Sequence, residues 1–287
     1  MNLPVQGVRE VRFFGRFFLP WDDDQDLAGW KINPCPRHNF PAVTAQQLSS
    51  GYKTAGIRRS AGFRHPFLGT AIKTMVRMKI VAALTDPSHA VMAQEQGADL
   101  IELRLDLFDG DLVEHARRCR EQVSLPLIAT LRSAPEGGRY FGNAEEWMER
   151  LSPLVPLVDY IDIEQRFKDN APAIRAVGKQ VIASCHESRM LSLAELFQTE
   201  RTLRAFGDIP KIIVTPQDED DLIDLISFTS AAKKPICTGV MGLQFRQARA
   251  ILPLFGSEFV YCSVGTPTAE GQYSVEEFVQ LRNLLGM

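Results

Sequence analysis

From Met78 onward the chain alternates between two periodicities with a regularity that leaves few folds open. Short β-branched or apolar runs occur at Lys79 to Leu84, Leu100 to Leu105, Pro126 to Leu131, Tyr160 to Ile163, Val181 to Cys185, Lys211 to Val214, Ile236 to Val240 and Phe259 to Val264. Stretches with helical spacing lie between them, at Asp111 to Gln122, Ala144 to Leu151, Leu191 to Phe206, Glu219 to Ala232, Gln244 to Leu254 and Ser274 to Leu285. A strand followed by a helix, repeated eight times over roughly 210 residues, predicts a (β/α)₈ barrel across residues 78–287. A doubly wound open sheet is the other candidate. It usually carries a glycine-rich turn after its first strand, and Leu84-Thr85-Asp86-Pro87-Ser88 is not one.

Within that pattern Lys211 stands out, because it interrupts the apolar run Ile209 to Thr215. Burial disfavours an ammonium, so a lysine in a strand core tends toward the amine, a nucleophile for carbonyls. The ordinary alternative is a lysine at the start of the strand that snorkels into solvent. The preceding strand delivers His186 to its C-terminal end, so adjacent parallel strands would offer an amine and an imidazole. Barrel active sites gather at those strand ends. Strand two carries Glu102, Arg104 and Asp106 with period two; strand three ends at Thr130 and Arg132; its loop adds Glu136 beside the flexible pair Gly137 and Gly138; strand four contributes Asp162 and Glu164. Any one of these could be a solvated charge or a structural ion pair. Convergence from strands two to six onto one rim points to a ligand.

Several separated motifs carry a resemblance: Glu-Leu-Arg-Leu-Asp at 102–106, Arg-Ser-Ala-Pro-Glu-Gly-Gly at 132–138, Ser-Cys-His at 184–186, Pro-Lys-Ile at 210–212, Met-Gly at 241–242 followed by Arg249, and Thr-Ala-Glu-Gly-Gln at 268–272. Over residues 78–287 the chain resembles the type I 3-dehydroquinate dehydratases. The resemblance implies a cofactor-free dehydration of 3-dehydroquinate to 3-dehydroshikimate in the shikimate pathway, with no metal. By it, Lys211 forms a Schiff base with the C3 ketone, His186 moves protons as general base and acid, and Glu136 tunes His186. Glu102, Arg104 and Arg132 would hold ring hydroxyls, and Arg249 would fork onto the carboxylate. Thr268 and Gln272 would belong to a lid, with Gly271 giving it backbone freedom. A homodimer is implied as well. Ala83, Phe245, Ala248 and Glu270 depart from residues common in the family at those positions, which touches affinity and lid motion rather than reaction type.

The first 77 residues follow neither the alternation nor the motifs. They hold 11 Lys and Arg against 5 Asp and Glu, net +6, whereas the remainder holds 21 against 30, net −9. They read as an irregular extension: a start assigned too far upstream, a disordered basic arm, or a transit peptide, the last disfavoured by the acidic cluster Asp22 to Asp26. Cys35 and His38 alone do not make a metal site. No apolar stretch is long enough for a signal peptide or membrane span. Cys119, Cys185, Cys237 and Cys262 lack zinc-site spacing and read as buried thiols in a reducing compartment, hence a cytoplasmic protein. Alternation sends Cys185 to the face opposite His186. Mild acidity without a basic stripe argues against nucleic-acid and membrane partners. Two other functions share the residues. A class I aldolase would use the same lysine, but Gly265-Thr266-Pro267-Thr268 is a poor phosphate site; a noncatalytic metabolite-binding barrel would not need Lys211 at all.

Overall fold

Strands that are apolar on both faces must be buried on both, which a parallel sheet wrapped by helices provides. The computed structural model describes residues 78–286. The expectations for residues 1–77, Cys35 and His38 among them, lie outside the described residues. The strands are β1 (Lys79–Leu84), β2 (Leu100–Arg104), β3 (Leu127–Thr130), β4 (Tyr160–Glu164), β5 (Gln180–His186), β6 (Ile209–Val214), β7 (Cys237–Val240) and β8 (Phe259–Ser263). All seven ladders are parallel, in the order β7-β6-β5-β4-β3-β2-β1-β8. This is the expected eight-stranded barrel, nearly closed. Across the seam between β7 and β8, the Glu258 amide donates to the Ile236 carbonyl at 2.7 Å. The Ser257 hydroxyl accepts from the Thr238 amide (3.0 Å) and donates to the Thr238 carbonyl (3.1 Å).

The helices are α1 (Ala90–Glu95), α2 (Leu112–Gln122), α3 (Ala144–Leu151), α4 (Ala171–Ala176), α5 (Leu193–Arg204), α6 (Glu219–Ala231), α7 (Ala248–Ile251) and α8 (Val275–Leu285). Capping boxes at Asn143, Ser192 and Ser274 fix the starts of α3, α5 and α8, because each cap side chain satisfies a backbone amide that the first turn leaves unpaired. Two differences from expectation stand out. The short α1 and α4 carry too few turns to show a periodicity in sequence. The helix expected over 244–254 shrinks to α7 and a 3₁₀ turn at Leu252–Phe255. Pro253 has no N–H to donate and its ring crowds the carbonyl four residues back, so the α-helix stops before it.

Alternation along the strands divides the lumen into floor and site. Val81, Leu100, Ile128, Ile182, Ile209 and Phe259 form an apolar plug, with Tyr160 packed against it. Two residues further along six of the strands, on the same face, the chemistry changes: Leu100 gives way to Glu102, Ile128 to Thr130, Tyr160 to Asp162, Ile182 to Ser184, Ile209 to Lys211 and Phe259 to Tyr261. Lys211 is therefore the third residue of β6, facing inward and 4% exposed, and not a strand-start lysine reaching for water.

Candidate active site

All nine site residues expected from the sequence line one cavity of about 150 Å³ at the C-terminal ends of the strands. At its base lies Lys211, whose Nζ donates to Asp162 Oδ2 at 3.0 Å and sits 3.7 Å from Glu102 Oε1. The same nitrogen lies 3.8 Å from the centroid of the Tyr261 ring. The sequence suggested burial as the dominant influence on this lysine. In the structure two carboxylates and an aromatic face also surround the buried nitrogen. Glu102 is itself held by the Thr130 hydroxyl at 2.8 Å.

His186 ends β5, where both its backbone amide (3.1 Å) and its ring Nδ1 (2.8 Å) meet Glu136 Oε2. An oxygen that accepts from the amide suits a ring that donates from Nδ1, which leaves Nε2 as the free lone pair. Burial, reinforced by Arg132, Lys211 and Arg104, holds His186 well below the ordinary imidazole value, so the ring is neutral. Burial pushes the Glu136 carboxyl up to about 8, against the pull of Arg132. The loop that delivers Glu136 is tight rather than flexible. Gly137 has φ +82°, and a Cβ on Gly138 would lie 2.1 Å from the Arg132 carbonyl oxygen. Glycine is needed there for a left-handed turn and a close backbone approach.

Arg132 faces the cavity, yet its Nη atoms are spent on the protein. Nη1 donates to Ser184 Oγ (2.9 Å) and Glu164 (3.0 Å), and lies 3.4 Å from Glu136; Nη2 donates to Asp162 at 2.8 Å. Burial disfavours its charge, but Asp162, Glu164, Glu136 and Glu102 outweigh that and hold the guanidinium above its ordinary value. Asp162 shows the converse balance: burial acts to raise it, while Arg132, Lys211 and a 2.5 Å hydrogen bond from Ser184 bring it below the ordinary range. Glu164 also accepts from the Ser133 amide at 2.8 Å and from the Ser133 hydroxyl.

Arg104 is held in a fork by Asp106, with Nε at 2.9 Å and Nη2 at 2.8 Å. Asp106 additionally accepts from the amides of Arg132 (3.4 Å) and Arg139 (3.2 Å), so it ties the end of β2 to the loop carrying Glu136. Arg249, the second residue of α7, meets no acidic side chain within ion-pair distance among the described residues. Its Nη2 donates to the Glu270 carbonyl at 3.2 Å, its Nε is buried without a partner, and burial pulls the group below the ordinary arginine value. Gln272 Oε1 accepts from the Thr268 amide (2.9 Å) and hydroxyl (3.1 Å), closing the loop after β8 on itself. Arg246 fastens the same loop, donating to the Gly271 carbonyl at 3.2 Å and stacking over Tyr273 at 3.9 Å.

Among the departures, Phe245 and Ala248 are buried in the core and Ala83 is fully buried on β1, so these positions pack rather than bond. Cys185 packs against the outer core and burial pushes its thiol up to about 12, which fits its place on the face away from His186. No group of three or more potential metal ligands occurs among the described residues. No described helix is long and apolar enough to cross a membrane. Expectation missed three features. Asp162 and Glu164 were visible as charges two apart, but their common partner Arg132 is not encoded in spacing. Ser184 was visible only as part of a motif. Tyr261 is one aromatic in an apolar strand, and its sole signal is the alternation that turns it inward.

A buried lysine, a neutral imidazole on a carboxyl group and an arginine without an acidic partner among the described residues, grouped at the mouth of a parallel barrel, define the candidate active site of an enzyme of the (β/α)₈ class. Residues 80–287 match the type I 3-dehydroquinase family. A 3-dehydroquinate dehydratase of Methanoregula boonei is 65% identical over 208 residues, which are 72% of this chain and 100% of that protein. The crystal structure of the Aquifex aeolicus 3-dehydroquinate dehydratase superposes with a TM-score of 0.64 at 30% identity, covering 72% of this chain and 98% of that one. The type I enzyme of Clostridium difficile, solved with covalently modified comenic acid, gives a TM-score of 0.67 at 26% identity over 73% of this chain and 92% of that one. The chain belongs to the type I 3-dehydroquinase family, and the dehydration of 3-dehydroquinate is the reaction that family and relatives support. The aldolase and noncatalytic readings fall away.

Proposed function

We propose that the dehydration proceeds through a Schiff base on Lys211. The observation that carries this reading is one cavity lined by the Lys211 amine, the neutral His186 imidazole and the acid-free Arg249 guanidinium. Arg249 takes the substrate carboxylate, which supplies the anion that its surroundings lack. The Lys211 ammonium passes a proton to His186 and attacks the C3 ketone as the amine; the carbinolamine takes that proton back as its hydroxyl leaves as water, and an iminium remains. That iminium draws electrons from the adjacent C2–H bond, and His186 removes the proton through Nε2. The C1 hydroxyl then departs as water with a proton from His186, and a second water hydrolyses the imine to release product and the free lysine. Glu136 holds the His186 tautomer. Glu102 and Arg104 face the hydroxyls, Arg132 organises the carboxylates around Lys211, and Thr268 with Gln272 close over the ligand. The Clostridium difficile enzyme, solved with covalently modified comenic acid, is consistent with a covalent route in this fold.

Intact mass after 3-dehydroquinate and borohydride tests the proposal, since reduction turns an imine into a stable amine. A ligand adduct mapped to Lys211, absent from Lys211→Ala together with turnover, is the expected result. Product formed by Lys211→Ala at the wild-type rate would overturn it. The homodimer implied by the resemblance is part of the same proposal, to be read by sedimentation.

A further inference from the structure

The Lys211 nitrogen has three compensating neighbours, and they respond differently to the chemistry. Asp162 and Glu102 act through hydrogen bonds or ion pairing at 3.0 and 3.7 Å. The Tyr261 ring lies 3.8 Å away at its centroid and presents its electron-rich face. A lysine ammonium has three N–H bonds to distribute. An iminium keeps the positive charge but has one N–H, because the new bond to the substrate carbon replaces the others. The one N–H left can serve a single acceptor, and the hydrogen bond it could keep is the one to Asp162, since Glu102 at 3.7 Å meets the nitrogen by ion pairing only. A ring face acts on charge and is indifferent to how many N–H bonds remain.

The ring is fixed for that task. Tyr261 packs edge-on against Phe259 at 6.4 Å and 88°, and Phe259 meets Tyr160 edge-on at the same distance and angle, so an aromatic row in the barrel floor sets its tilt. The hydroxyl contributes nothing comparable, being buried with no hydrogen-bond partner among the described residues. Burial holds the phenol well above its ordinary value, so it stays neutral.

We propose that the ring face of Tyr261 stabilises the positive charge of the Lys211 iminium, and that its hydroxyl is dispensable for this. The inference rests on the Schiff-base reading above and assigns it a further residue. The test replaces residue 261 by phenylalanine and by phenylalanines carrying one, two and three fluorines, which drain the ring's face while keeping its shape. Each variant is treated with 3-dehydroquinate and borohydride and assayed for kcat and KM. The wild-type protein is trapped first, and failure to find its adduct would refute the Schiff base itself. Given that adduct, Tyr261→Phe is expected to match wild type within about twofold. Successive fluorination is expected to lower the trapped fraction and kcat stepwise, by about tenfold across the series, with KM little changed. A response that is flat across the fluorinated rings would overturn the inference. So would a Tyr261→Phe protein as impaired as the trifluoro variant, because the hydroxyl would then be the active part.

Discussion

Arg132 and Arg249 line the same cavity and carry the same group, yet their surroundings are opposite. Arg132 is surrounded by Asp162, Glu164, Glu136 and Ser184. Arg249 has a buried Nε with no hydrogen-bond partner among the described residues, and its Nη2 reaches only the Glu270 carbonyl, at 3.2 Å. A guanidinium whose donors are spent on the protein organises other groups; one left short of acceptors awaits a ligand. The contrast sets a scaffolding arginine after β3 against an arginine after β7 that the proposal gives to recognition, on the far side of the cavity.

The largest expected effect breaks the satisfied side. Arg132→Met strands Asp162 and Glu164 without their common cation, and removing one partner of a buried ion network costs about 3–5 kcal/mol. Urea unfolding followed by circular dichroism reads this directly; an unchanged midpoint would erase the distinction. Arg249→Gln should do the reverse. Losing charge-assisted hydrogen bonds worth about 1.5–3 kcal/mol raises KM by roughly 10- to 100-fold. The unfolding midpoint should not fall, since no protein carboxylate loses a partner, and a wild-type KM would remove Arg249 from recognition.

A smaller effect sharpens the account of the hydrogen-bonded pair Glu136 and His186. With its value raised to about 8, Glu136 is protonated at neutral pH and ionises as pH climbs, which strengthens the hydrogen bond its Oε2 accepts from His186 Nδ1. His186, held well below its ordinary value, is neutral throughout that window. The pH profile of kcat/KM should therefore rise through about 8, and Glu136→Gln should flatten that limb at a lower plateau. A rise centred near the ordinary imidazole value in both proteins would assign the limb elsewhere. Least disruptive is Ser184→Ala, which removes one hydrogen bond each from Asp162 and Arg132 while their direct pair persists. A loss of about 1 kcal/mol in unfolding free energy is expected; a loss as large as that of Arg132→Met would mean the hydroxyl, not the ion pair, holds the network.

The barrel was legible because its strands are continuous apolar runs, and a floor of Val81, Leu100, Ile128 and Ile182 leaves little alternative to a packed lumen. Lys211 and His186 were legible as polar residues at inward positions of such runs. Asp106, read only as a charge in register with Glu102, proves to join two loops through four donors, a relation that depends on where β3 ends. Tyr261 carried no signal in the sequence, since its type fits the strand and only its 3.8 Å distance to Lys211 singles it out. Pro253 did carry its message, and the periodicity of 244–254 obscured it.

The seam between β7 and β8 gives the sheet two ends where a fully laced barrel would have none. Held by one backbone hydrogen bond, the Ser257 hydroxyl and the Cys237 thiol rather than a ladder, it is the strand junction with the fewest main-chain hydrogen bonds, so deuterium should enter there before it enters β4 or β5. Arg249 follows one end of the arc and Thr268 the other. Breathing of this junction would change the spacing between them without disturbing Lys211 or His186, which sit on strands paired on both sides.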